Sequence, residues 1–382
     1  MIEGQAASTS QQREPNGLRF VACHWGVGSD DSQANFVEPV CRDVMAYSDV
    51  CMDKICDNRL CEASPQQSCA QSAAVKLVAV LEHKASMNCG FGSNLNSDGE
   101  VECDASLMCG NTGSFAGVGA IRGCKNPIRL AESLLHHGNS SKPLGLVQPN
   151  MLAGATGGKQ WMREHCPHLL VADSKLIAPR ALSRYTRHKS RLDEANAQKL
   201  DTVGAITVSC QNNIACATSS GGISLKHRGR LGQAALPGAG CWASQSVGAV
   251  TSGVGEVLTA NLFARTVHDK LDNILEQSQS WSADLTETIE NVICECFATV
   301  SKSQAIGHLS EKEKIVGILA TMLCPNGCMY IILAHNTTSM PAAYCFRGQD
   351  GDQFKCLEKS TQKSRDGVSY HITRLDYGMP QK

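Results

Sequence analysis

The sequence has no C-x-x-C pair, no excess charge of either sign and no apolar leader at its start. It also has no apolar run approaching the roughly 20 residues of a membrane span. Each absence narrows the field. A formal net charge of −1 gives no general attraction for nucleic acid or an anionic membrane. Residues 1–17, MIEGQAASTSQQREPNG, are polar and contain no h-region of a secretory signal. The expectation is therefore a non-exported chain whose thiols stay reduced, in which the sequons at Asn139 and Asn336 occur by chance.

Cysteine itself is abundant, with 20 in 382 residues. The nearest spacings, Cys51/Cys56/Cys61, Cys294/Cys296 and Cys324/Cys328, form no finger-like set, so zinc is a weaker reading than small buried thiols. Apolar residues make up 42% and charged residues 19%, as in a soluble globular enzyme. The 34 glycines cluster, which implies places where backbone approaches backbone or ligand.

Along the chain, residues 18–23 (LRFVAC) read as a buried strand entering the turn His24-Trp25-Gly26-Val27-Gly28. Residues 72–83 read as a buried helix, 116–121 as a strand, and 127–138 as a helix with proline in its first turn and Gly138 at its end. Between them, residues 88–96 (NCGFGSNLN) form a glycine/asparagine loop, which either shapes a site or turns a corner. Residues 171–201 are basic toward their end and read as a mobile linker. The cluster 184–191 is either a nuclear-import signal or a solvated basic face. Beyond it, 203–209 and 214–218 are paired strands, 255–277 a helix with Leu258, Leu262, Leu271 and Ile274 on one stripe, and 315–321 and 329–334 core strands. This mixed order favours stacked sheets covered by helices.

At the exit of the linker stands Asp201-Thr202. A threonine can act as nucleophile with its own α-amine as base, but only as the first residue of a chain. Cleavage of the Asp201–Thr202 bond would make it so. The Thr202 hydroxyl would attack the Asp201 carbonyl, and water would hydrolyse the ester that follows the N→O acyl shift. A DT dipeptide alone signals nothing; its surroundings do.

The segments DTVGA (201–205), SSGGISLKHRGRLGQAALPGAGCWA (219–243) and TSGVGE (251–256) resemble the β-subunit signature of the plant-type asparaginase family. GFGSNLNSDGEVECDASLMCG (90–110), KNP (125–127), Gln233 in GRLGQAA and HNTTSM (335–340) resemble its threonine aspartase, or taspase, branch. The resemblance covers most of residues 18–375 in several ordered motifs. It implies an α/β fold, the αββα four-layer sandwich of N-terminal-nucleophile hydrolases. It also implies one globular unit with a disordered 1–17, an α portion 18–201 ending in the flexible linker 171–201, and a β portion 202–382.

By this resemblance Thr202 is nucleophile and base, and Ser220 the second hydroxyl beside it. Arg230 holds a substrate carboxylate, for which a bidentate guanidinium is suited. Gly253, Val254 and Gly255 form the oxyanion and substrate loop, and Gly232 and Gln233 flank the pocket. Ser93 and Asn94 belong to the loop beneath the nucleophile, Asn88 adds an amide donor, and Asp104 is an internal polar anchor. No metal or organic cofactor is implied.

The leading expectation is an endopeptidase cutting proteins after aspartate, with nuclear transcription regulators as substrates and a nuclear and cytoplasmic address. Its α and β fragments would associate, as a dimer of heterodimers. The alternative is an asparaginase or isoaspartyl dipeptidase, and a third reading is a non-catalytic binding protein of the same fold. Gln233 weighs against the alternative, because family asparaginases carry an aspartate there to hold an α-ammonium. Thr202, Ser220 and Arg230 together weigh against the third. Two departures, Trp25 in the first turn and Cys109 where an aspartate is common, bear on the efficiency of the first cut.

Overall fold

The computed structural model describes residues 18–26, 34–55, 68–138, 147–190, 201–278, 284–348, 351–357 and 363–376. The expected disordered N-terminus 1–17, the Val27-Gly28 end of the first turn and linker residues 191–200 lie outside the described residues.

The first half of the chain contains β1 (Leu18–His24), α1 (Ala34–Ile55), α2 (Cys69–Glu82), β2 (Cys103–Cys109), β3 (Ser114–Ile121), α3 (Pro127–Gly138), β4 (Met151–Ala153), α4 (Ala155–His165) and α5 (Pro179–Lys189). The second half opens with β5 (Val203–Ser209), β6 (Ile214–Ser220), β7 (Cys241–Ala243) and β8 (Val247–Gly253). It continues through α6 (Gly255–Ala260), α7 (Phe263–Gln277) and α8 (Thr286–Lys302) to β9 (Val316–Leu323) and β10 (Cys328–His335). The chain then runs through β11 (Ala342–Gly348), β12 (Gly351–Leu357), β13 (Lys363–Arg365) and β14 (Val368–Asp376).

These strands form two sheets. The larger is ordered β12-β11-β1-β5-β6-β2-β3-β4 and the smaller β13-β14-β10-β9-β8-β7. Among the described residues every strand pairing is antiparallel except β3 with β4. Phe20, Ile206, Val208, Ile214, Val250, Leu319, Ile331 and Leu333 share the apolar layer between the sheets. Residues of α1 to α4 cover the outer face of the large sheet, and α7 and α8 cover the small one. The architecture is the αββα sandwich, and it explains a local feature of the strands. Both faces of β5, β6 and β8 are covered, so every residue in them is buried and a polar, solvent-facing row is not needed. At their crossing Gly248 leaves no room for a side chain. A Cβ there would stand 2.7 Å from Ile214 Cγ2 and 3.0 Å from Cys216 Sγ.

Two expectations change. The segment 171–201 is not a linker throughout: residues 173–176 make a 3₁₀ turn and α5 follows. Leu176, Ala178 and Ala181 bury against Leu95, Val101 and Cys103, with Tyr185 packed alongside, so sparse apolar residues suffice to dock a short helix whose other faces are basic. The single helix expected over 255–277 is two. Leu262 adopts φ +42° between α6 and α7 and is 45% exposed, off the apolar stripe. The cysteines behave as small core residues. Among those described, all but Cys69, Cys210 and Cys356 are buried, and all are free thiols.

Candidate active site

Thr202 lies immediately before β5, between two neighbouring strands. On one side His24 of β1 is opposite Gly204, and on the other Ser219 of β6 is opposite Val203. This register brings the end of β6, and with it Ser220, beside Thr202. Thr202 Oγ1 donates to Ser220 Oγ at 3.2 Å and accepts from Gln233 Nε2 at 2.8 Å. Ser220 Oγ in turn accepts from the Gly222 amide at 3.0 Å. The hydroxyl is thus fixed from both sides, and Thr202 is only 4% exposed. Asn88, Asp201, Thr202, Ser220, Gly222, Arg230, Gln233, Gly253 and Gly255 line one small cleft.

Most of the expected site residues meet there, but their roles differ in detail. Asn88 lines the cleft, yet its amide is committed to the loop: Nδ2 donates to the Gly222 carbonyl at 2.8 Å and Oδ1 accepts from the Asn94 amide. Asn94 Nδ2 donates to the same carbonyl, also at 2.8 Å. Gly222 presents that carbonyl from φ +71°, a conformation suited to glycine. Ser93 lies behind the cleft, with its Oγ 3.2 Å from Cys103 Sγ, and supports the loop from below.

Gly232 gives its amide to Asp104 Oδ2 at 2.9 Å, while Asp104 Oδ1 accepts from the Ala120 amide at 2.8 Å. Asp104 is fully buried, with Lys226 Nζ 3.9 Å away, and so joins β2, β3 and the segment carrying Arg230. Val254 does not line the cleft. It stands just ahead of α6, and its amide donates to the Ile315 carbonyl at 2.8 Å. The late HNTTSM motif backs that contact: Asn336 Oδ1 accepts from the Val316 amide and its Nδ2 donates to the Lys314 carbonyl.

Arg230 is held by a residue that the sequence did not single out. Its Nε and Nη2 donate to Glu256 Oε1 and Oε2, both at 2.8 Å. Gly255 keeps this corner open, since a Cβ there would stand 2.9 Å from both Arg230 Nη2 and Gln233 Oε1. Two buried titratable groups behind the site were also missed. His24 is fully buried against the Thr202 backbone, and burial pushes its pKa down to about 3 despite an opposing pull from that backbone. Glu82 accepts from Ser219 Oγ at 2.7 Å, the Ile128 amide at 3.0 Å and Asn126 Nδ2 at 3.1 Å. Burial pushes it up to about 7, outweighing those bonds. A histidine after a buried strand was a visible signal for the first; nothing local marked the second.

These two groups predict a particular stability profile. The folded chain binds the Glu82 proton more tightly than the unfolded chain, so Glu82 adds stability as pH falls from about 7 to 4.5. His24 works in reverse: the unfolded chain takes up its proton below 6.5 and the folded chain resists down to about 3, so stability falls with pH across that window. Between 4.5 and 6.5 the two slopes oppose each other. In His24→Gln the opposing His24 slope is removed, and across that window acidification should raise stability by about 1.4 kcal/mol per pH unit relative to wild type. Urea melts at several pH values check this; parallel profiles for the two proteins would refute it.

An asparaginase family model matches residues 60–303. The chain belongs to the asparaginase family. An isoaspartyl peptidase/L-asparaginase of Xenopus laevis is 34% identical over 206 residues, covering 53% of this chain and 63% of that protein. A plant-type L-asparaginase of Pyrobaculum calidifontis is 33% identical over 238 residues, covering 58% and 72%. The isoaspartyl peptidase/L-asparaginase of Homo sapiens is 36% identical over 207 residues, covering 52% and 62%. The matched region thus spans just under two thirds of the frog and human proteins. Within the asparaginase family the αββα sandwich is the N-terminal-nucleophile hydrolase fold, and it places Thr202 at the entrance of a central strand.

Proposed function

We propose that this chain is a threonine hydrolase that activates itself by cutting Asp201–Thr202 and then hydrolyses amide bonds next to a substrate carboxylate. The observation that carries this reading is the Thr202 hydroxyl, held between Gln233 Nε2 and Ser220 Oγ at the bottom of a cleft that also contains Asp201 and Arg230. In the first cut Thr202 Oγ1 adds to the Asp201 carbonyl carbon, the C–N bond breaks, and the nitrogen leaves as the free amine of Thr202. One water then hydrolyses the ester, giving the Asp201 acid and restoring the hydroxyl. In each later cycle that amine takes the hydroxyl proton and passes it to the leaving nitrogen, and a second water releases the acyl group.

For the substrate, the reading we favour is a peptide bond that follows aspartate in a longer chain. Arg230 supplies the cation for the side-chain carboxylate. Gln233 is neutral where a free amino acid would need an anion for its α-ammonium. Among the described residues that line the cleft, the one carboxylate is Asp201, which belongs to the bond that is cut. The bond cut first would itself follow an aspartate. The names of the relatives support a second reading, hydrolysis of asparagine or isoaspartyl peptides.

The test is to incubate the purified chain and look for fragments of 201 and 181 residues (382 − 201) with Thr202 at the new N-terminus. The cut protein is then offered aspartyl peptides, isoaspartyl dipeptides and free asparagine. Turnover of the first class supports the favoured reading, and turnover confined to the other two supports the second. An uncut chain with no turnover of any of them defeats both.

A further inference from the structure

Arg230 is carried on a loop at the surface. The base of that loop is stitched to the 95–97 turn, where the Leu225 amide donates to the Leu95 carbonyl at 2.8 Å and the Ser97 amide to the Lys226 carbonyl at 2.9 Å. Beyond that point His227, Arg228, Gly229 and Leu231 are exposed, and the Arg228–Asp98 pair, 3.6 Å apart with both side chains about half exposed, holds them weakly. Two buried carboxylates reach this loop from the start of β2. Glu102, just before the strand, accepts from the Gly229 amide with Oε2 at 3.0 Å, and Asp104, two residues on, accepts from the Gly232 amide at 2.9 Å. Residues i and i+2 of an extended segment face the same way, so the two acceptors bracket Arg230 together. A buried ammonium joins them: Lys226 Nζ donates to the Glu102 carbonyl at 2.9 Å and is 3.9 Å from Asp104 Oδ2.

We propose that Glu102 and Asp104 are specificity-determining positioning residues, which clip the loop on either side of Arg230 and so aim its guanidinium at a substrate carboxylate. The inference rests on the reading that Arg230 binds that carboxylate, and adds what holds it in place. Three observations support it. The clipped amides belong to the residue before Arg230 and the second residue after it, so both ends of its short segment are fixed by bonds to charged acceptors, which are about twice as strong as neutral ones. Gly232 has no side chain to hold Asp104 off; a Cβ there would stand 2.9 Å from Asp104 Oδ2. Asp104 is also opposite Ser220 in the β2–β6 pairing, so the residue that fixes the Arg230 loop is in register with the hydroxyl beside Thr202. One strand thus relates the cation to the nucleophile. Glu256, the other partner of Arg230, grips the tip of the side chain and leaves the backbone beneath it to the clip. A two-pronged contact is sensitive to direction, so a drifting backbone would weaken the grip on substrate first.

The experiment uses protein that has already been cut and compares an aspartyl peptide with the same peptide carrying asparagine in its place. Glu102→Met removes one acceptor and should lower the kcat/KM preference for the aspartyl peptide by about tenfold or more, through KM, as expected when a hydrogen bond to a charged group is lost. Glu102→Gln keeps an oxygen for the Gly229 amide and should recover most of the preference. Asp104→Asn, nearly identical in size, should also lower it, because one oxygen must serve the two amides of Ala120 and Gly232. This variant carries the test if Glu102→Met does not fold. If the two residues only hold the fold together, rates on both peptides fall alike and their ratio stays. That result in either variant overturns the proposal, and so does a Glu102→Gln chain as impaired as Glu102→Met. If the wild type is not cut, or once cut does not prefer the aspartyl peptide, the proposed function falls and this inference with it. A wild-type preference that survives in Glu102→Met and Asp104→Asn removes only the inference.

Discussion

Thr202→Ala is expected to leave a single 382-residue chain under conditions where the wild type ends as two fragments. The expectation follows from how singular the hydroxyl is. Thr202 Oγ1 sits one residue from the scissile carbonyl, already polarised by the amide of Gln233 and with its proton directed at Ser220. Ser220 cannot replace it, because its own oxygen accepts from both Thr202 and the Gly222 amide, and it lies on the neighbouring strand. The loss should be complete in gel analysis over days, while folding is retained, since only a hydroxyl and a methyl are removed at a site tied down by β5 pairing on both sides. Thr202→Ser should still cut, but more slowly. Its hydroxyl has three staggered positions to explore where the β-branched threonine is stiff at χ1. If the alanine chain is cut at the same bond and rate, the hydroxyl is not the nucleophile.

How much of this arrangement could be read beforehand depends on the range of the interactions involved. The strands at 203–209 and 214–218 were legible because their composition decides them locally. So were the helices at α2 and α3, where proline and a compact apolar face mark the elements. The long α1, α8 and the strands β11, β12 and β14 were not read; a remote partner accounts for β11 alone of these strands, since β12 pairs with the adjacent β11 and β14 with the adjacent β13. β1, for example, pairs with β11 across more than 300 residues. The break at Leu262 was hidden because the apolar spacing continues through it while the backbone does not.

The site divides in the same way. Thr202, Ser220, Arg230 and Gln233 were found through motifs and come together in one cleft. Ser93, Asn94, Gly232 and Val254 were found too, but they stand one layer back, holding the residues that line it. Glu256 lies in the quoted TSGVGE motif yet carried no signal of its own, because its role depends on where Arg230 points. Glu82 meets Ser219 across 137 residues and Arg184 meets Asn94 across 90, beyond the reach of any local pattern.

The pairing of Arg230 with Glu256 leads to the second large expected effect. Arg230→Met should lower kcat/KM for a carboxylate-bearing substrate by about 10²-fold or more, because losing one partner of a desolvated, hydrogen-bonded charge pair costs about 2–5 kcal/mol. Glu256 does not stand in the way of substrate. Its side chain is 48% exposed against 14% for Arg230, so it can be returned to water at a cost of about 1 kcal/mol or less. An incoming carboxylate in the cleft would exchange for it and keep the same two-pronged geometry. Glu256→Gln should accordingly behave in the opposite sense: with a weaker competitor for the guanidinium, KM for the same substrate should fall while kcat changes little. Arg230→Lys should recover only part of the loss, since an ammonium offers charge without the fork. The comparison is made on protein that has already been cut, so that any effect on the first step is kept apart. Equal kcat/KM for wild type and Arg230→Met would remove Arg230 from substrate recognition. A rise in KM for Glu256→Gln would instead make Glu256 a support that holds the guanidinium in place.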